Sequence, residues 1–135
     1  MSIQSEIIKW IKGLATPAGA KVYDTQAPED IQFPYVVTTP VDERTPRTLN
    51  GQKLFTRATI RCAIFSLRGA ERDVIGRSIR DAVQKFVEEN GQQGLLGTIR
   101  IVSFVASVVD SDVAVLEDET IIKALVIDIA ILYRG

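Results

Sequence analysis

No histidine occurs among the 135 residues, and there is one cysteine, one methionine and one tryptophan. Without histidine the chain lacks the commonest general base, the usual partner of serine and cysteine nucleophiles, and the commonest metal ligand. Most hydrolytic mechanisms are thereby excluded, and the chain is expected to be non-enzymatic, with no catalytic residue, cofactor or metal. A lone cysteine allows no disulfide within one chain. Cys62 falls at an inward position of an alternating segment, where it is expected to act as a small buried hydrophobe. The longest apolar run, 124–133, is interrupted by Asp128 and is about half of the roughly 20 residues that a membrane-spanning helix needs. With Glu6, Lys9 and Lys12 set among its first apolar residues, the N-terminal segment is also unlike a secretory signal. The expectation is a cytoplasmically made protein with no membrane association.

Phosphate-cradling glycine patterns are missing as well. Gly91, Gly94 and Gly97 are not followed by a Lys-Ser or Lys-Thr pair and precede a strand-like segment. The acidic run Asp110, Asp112, Glu117, Asp118 and Glu119 is broken by an apolar stretch and lacks calcium-loop spacing, so it reads as a solvated turn.

What is present is a chain of ordinary globular composition, 46% hydrophobic and 24% charged, of a length suited to one domain with one core. The net charge of −1 conceals a segregation. Residues 1–43 carry three basic and six acidic groups, residues 44–100 eleven and five, and residues 101–135 two and six. A basic middle followed by an acidic end can fold into complementary surfaces that orient association.

Ile3, Ile7, Ile11 and Leu14 recur at helical spacing, which predicts an amphipathic helix over residues 2–14 with Trp10 as a packing anchor. A short strand is expected at 21–24 and a second strand beginning at Pro34, where a missing N–H is tolerated. Residues 42–52 read as a long hairpin connection. From 53 to 65 the alternation is clean, with Leu54, Ala58, Ile60, Cys62 and Ile64 opposite Arg57, Thr59 and Arg61. Helical spacing returns over 67–90, and a second hairpin follows, with strands at 98–109 and 120–134 and its turn at 110–119. In the last strand Ile121, Leu125, Ile127, Ile129 and Ile131 alternate with Ile122, Ala124, Val126, Ala130 and Leu132, so both faces are apolar. The order of elements predicts an α+β fold: a mainly antiparallel sheet of about four to five strands with two helices packed on one face. Two helices cover one side of such a sheet, and the simplest cover for the other is a second copy of the chain.

The stretch Val22-Tyr23-Asp24, then Ala27-Pro28, then Phe33-Pro34-Tyr35-Val36-Val37 resembles the signature of the tail terminator and tail completion proteins of long-tailed bacteriophages. The resemblance continues through a polar hairpin, an alternating strand ending at Phe65-Ser66, a helix opening on Arg-Gly-Ala-Glu-Arg at 68–72 and a closing hairpin. It implies a homo-oligomer, a hexameric ring at the head-proximal end of the tail tube. Such a ring stops tube polymerisation and joins the tail to the head connector, within a virion assembled in the host cytoplasm. Its partners would be the tail tube protein and the head-tail connector protein, with DNA passing non-specifically through the lumen. The residues implied to meet the tube, a neighbouring protomer or the lumen are Arg44, Arg47, Asn50, Lys53, Arg57 and Arg61. No aromatic platform accompanies them, so sequence-specific nucleic-acid binding is not expected. The alternative is a small ferredoxin-like ligand-binding or regulatory module acting as a dimer.

Overall fold

In the computed structural model the described residues are 3–29, 31–45, 55–90, 94–97, 99–115 and 120–134. Helix α1 spans Ile3–Lys12, and strands β1 (Val22–Asp24), β2 (Tyr35–Arg44) and β3 (Thr56–Ser66) follow it. Helix α2 is Gly69–Asn90, and the chain closes with β4 (Gly94–Leu96), β5 (Ile99–Val115) and β6 (Ile121–Arg134).

The α+β expectation holds, but the sheet has six strands, in the order β1-β2-β3-β6-β5-β4, and it is mixed. β1 runs parallel to β2, whereas the other four adjacent pairs are antiparallel. In the parallel pair Val22 stands beside Val36 and Asp24 beside Thr38, so both strands run the same way. β4 was hidden in the sequence, since Gly94-Leu95-Leu96 is too short to show a period and reads as a connection. The succession α-β-β-β-α-β-β-β also differs from the β-α-β-β-α-β order of a ferredoxin-like module.

Both helices lie on one face. Ala58, Ile60, Cys62 and Ile64 on β3 stand in register with Ile131, Ile129, Ile127 and Leu125 on β6, and all eight are buried. Ile75, Ile79 and Val83 of α2 close over them. Gly76 permits the close approach: a Cβ there would collide with Leu125 and press on Ile127. Across the same face Val36, the register partner of Ile64, joins Val22 beneath Ile3, Ile7 and Ile11 of α1. An aromatic row, Trp10 to Phe104 at 5.2 Å and Phe104 to Phe86 at 5.3 Å, ties α1 and α2 to β5. Trp10 is therefore a packing anchor. At the end of β3, buried Ser66 donates to Glu71 Oε1 (2.8 Å) and accepts from the Arg68 N–H (3.1 Å), fixing the entry to α2.

Cys62 is fully buried on this face, and burial pushes its thiol from 9.0 up to about 12. Burial, and then the hydrogen bond from its hydroxyl to Glu43 Oε1 (2.5 Å), push Tyr133 from 10.0 up to about 12. Both groups are held protonated by the fold. Their contribution is complete below the unfolded values of 9.0 and 10.0 and is lost as pH rises toward about 12. The denaturant midpoint is accordingly expected to fall steadily across that alkaline range, and Cys62→Ala with Tyr133→Phe should flatten the fall. An alkaline profile unaltered by the double replacement would contradict this assignment.

Candidate interaction surface

The second face of the sheet carries no helix among the described residues. Register sets its rows: Tyr35, Phe65 and Ala124; Val37, Ala63 and Val126; Thr39, Arg61, Asp128 and Ser107; Asp42, Thr59, Ala130 and Val105; Arg44, Arg57, Leu132 and Ser103. Nearly all of the β3 and β6 members are half-buried. The expected alternation in β6 is thus present, with one qualification: Ile121, placed with the inward set, is 50% exposed.

Three regions divide this face. At one end Tyr35 stacks on Phe33 (ring centroids 5.3 Å), tilts against Phe65 (5.2 Å) and meets Tyr23 edge-on (6.4 Å). In the middle Arg61 donates from Nε and Nη2 to the two oxygens of Asp128, at 2.9 and 3.1 Å. This forked bond, and then the carboxylate's charge, raise the guanidinium pKa above its ordinary value. At the other end lies a shallow hollow of about 370 Å³ bordered by Arg44, Arg57, Thr59, Ser103, Ala130 and Leu132. There Arg44 and Arg57 are cross-strand neighbours, and Arg44 Nε lies 3.2 Å from Asp42 Oδ2.

The candidate residues therefore part company. Arg44 and Arg57 come together at the hollow, while Arg61 lies four residues further along β3 and is engaged by Asp128. Arg47, Asn50 and Lys53 lie outside the described residues. The connection expected at 42–52 begins later than its composition suggests, because Asp42, Glu43 and Arg44 pair with Thr59, Ala58 and Arg57 beyond a register shift between Pro40 and Asp42. The turn expected at 110–119 is likewise shortened, since β5 continues to Val115. Charged residues suggested loops in both places, but partners across the ladder extend the strands.

Sequence reasoning missed Asp128 as a partner. Its signal was a single charge in an otherwise apolar strand, set opposite the basic side of an alternating one. The aromatic end was also missed as a cluster, because only register brings Phe65 against Tyr35.

The described residues contain no group of three or more His, Cys, Asp or Glu placed to hold a metal ion, and no helix long and apolar enough to cross a membrane. The fold and its surface define an α+β protein with helices over one sheet face and a mixed apolar and basic second face. No protein-family model matches the chain, and no curated protein matches it in sequence. Among solved structures, a chain of the "Virion of native gene transfer agent (GTA) particle" is similar with a TM-score of 0.56, over 92% of this chain and 84% of that chain, at 16% identity. At that identity the likeness is one of fold.

Proposed function

We propose that this chain is a structural protein of a phage-like particle, forming a hexameric ring at the head-proximal end of the tail tube. There it halts tube growth and joins the tail to the head connector. The observation that carries the reading is the fold likeness to a chain of a gene transfer agent virion, which extends over 92% of this chain. The sequence resemblance to tail terminators supports the same position in the particle. So does the second sheet face, whose half-buried apolar rows suit burial against another protein. No part of the reading calls for an enzyme or a cofactor.

In this proposal basic residues of the second face and of the segment beyond its end contact the tail tube, the next protomer or the lumen, through Arg44, Arg47, Asn50, Lys53, Arg57 and Arg61. Charge reversal by Arg44→Glu with Arg47→Glu is expected to weaken association with the tail tube protein roughly tenfold or more. The unfolding midpoint should stay unchanged, because Arg44 is exposed and a surface charge contributes little to stability. Co-sedimentation with assembled tubes, measured beside a denaturant titration, reads both quantities. Undiminished association would remove these two arginines from the contact.

A further inference from the structure

Register stacks positive charge at one end of the second sheet face. Arg44 stands directly opposite Arg57, and Arg100 directly opposite Arg134. Arg57 is also the partner of Leu132, two residues before Arg134, so the two pairs lie on one face, on rungs roughly 7 Å apart. All four residues are exposed. Like charges placed directly across a ladder destabilise a sheet, and two such pairs side by side serve no packing need. Further along, the same face sets Asp128 opposite Arg61 in a forked bond. It can therefore place a carboxylate opposite an arginine, yet at this end it places arginine opposite arginine. Among the described residues of these two rungs and the next, Asp42 is the one carboxylate that register puts on this face.

The surroundings decide which anion fits. Thr59 and Ser103 border the hollow beside Arg44 and Arg57 with hydroxyls, and Ala130 and Leu132 add apolar surface to it. The Arg134 guanidinium lies over the Phe55 ring, 4.7 Å from its centroid, so that ring is covered and gives a nucleic-acid base nothing to stack on. A phosphate backbone brings no apolar groups to bury on Ala130 and Leu132, and a chain of net charge −1 attracts it only weakly. Asp or Glu side chains flanked by apolar residues suit both parts of the site. Their carboxylates accept forked bonds from guanidinium groups while their neighbours bury on the apolar surface. A second copy brings no free cluster of carboxylates among its described residues, since Asp24, Asp73, Glu88, Glu89 and Asp128 are already held by Gln4, Arg72, Gln84, Lys85 and Arg61.

We propose that the basic end of the second face, through Arg44, Arg57, Arg100 and Arg134, seats an acidic, partly apolar segment of another protein. The inference rests on the reading of this chain as a structural protein of a particle and adds the chemistry of the partner met at that end.

Binding of labelled probes to the full chain tests it. The probes are a short peptide alternating glutamate with alanine, the same peptide with glutamine in place of glutamate, and a DNA duplex of matching charge. The glutamate peptide is expected to bind saturably and roughly tenfold or more tightly than either other probe, and Arg57→Gln with Arg100→Gln to weaken it by a similar factor. That replacement also relieves both like-charged pairs, so the unfolding midpoint of the free chain is expected to rise, most at low salt. Native mass, read for the unaltered chain and the variant, is expected to be the same for both. No saturable binding of the glutamate peptide, or binding that the variant leaves intact, would overturn the proposal, and an unaltered chain that still assembles would leave the structural reading standing. Tighter binding of the duplex would assign the cluster to phosphates, and loss of assembly in the variant would assign it to a second copy. Either result would overturn the proposal. A midpoint lowered by the replacement would show that these arginines serve the fold, and would overturn it as well.

Discussion

Ile79→Asp is expected to leave the chain unable to fold. Ile79 is fully buried at the centre of α2, facing the sheet. Removing its side chain forfeits about 2–5 kcal/mol of burial and packing. The incoming carboxylate then enters an apolar layer with no cation, at a further cost of several kcal/mol. The sum is comparable with the whole stability of an ordinary domain, about 5–15 kcal/mol. A fitting control is Val74→Asp, on the same helix but 47% exposed, which is expected to shift stability by about 1 kcal/mol or less. Far-ultraviolet circular dichroism and denaturant titration of the two variants decide the matter. A cooperative transition for Ile79→Asp near that of the unaltered chain would show that the core is misplaced.

A second large effect is expected at Gly97, between β4 and β5. Its φ of 60° lies in the left-handed region, and a Cβ there would collide with the carboxylate of Glu6. Glu6 is itself only 5% exposed, its Oε1 has no hydrogen-bond partner among the described residues, and Lys9 Nζ lies 3.9 Å away. The carboxylate is thus wedged between α1 and the β4–β5 turn. Gly97→Ala is expected to cost about 2–4 kcal/mol, of which roughly 1 is backbone strain and the rest is the displaced carboxylate. In a Glu6→Ala background the same change should cost only the strain. A double-mutant cycle by denaturant unfolding measures the difference directly. Equal costs in the two backgrounds would deny the collision.

The long elements were legible because their periods are unbroken. Ile3, Ile7 and Ile11 mark α1 to within a residue or two, and the inward set Ala58, Ile60, Cys62 and Ile64 marks β3 and its buried side. Cys62 and Trp10 took the packing roles that their positions in those patterns required. What escaped depends on partners distant in sequence. β4 exists because it pairs with Ile99–Ile101, and β2 and β5 run on through Asp42 to Arg44 and Asp110 to Val115 because β3 and β6 present ladders to them. The parallel setting of β1 depends on its pairing with β2, whose direction composition does not mark. Of the candidate surface, the alternation exposed Arg57 and Arg61 as one basic side. Only register could reveal that Asp128 occupies Arg61 while Arg44 comes to stand beside Arg57. The exposure of Ile121 and Val115 was illegible for a similar reason, since nothing local indicates where α2 stops covering the hairpin.

The central claim is that copies of this chain cover what its own two helices leave open. Hydrogen exchange on the purified protein, followed residue by residue beside its native mass across a dilution series, tests it most directly. The account predicts a mass that is a fixed multiple of the chain, with backbone amides of β5 between Asp110 and Val115 protected in the assembly and released on dilution. A chain that stays a single copy at every concentration, with those positions open to water throughout, would contradict it.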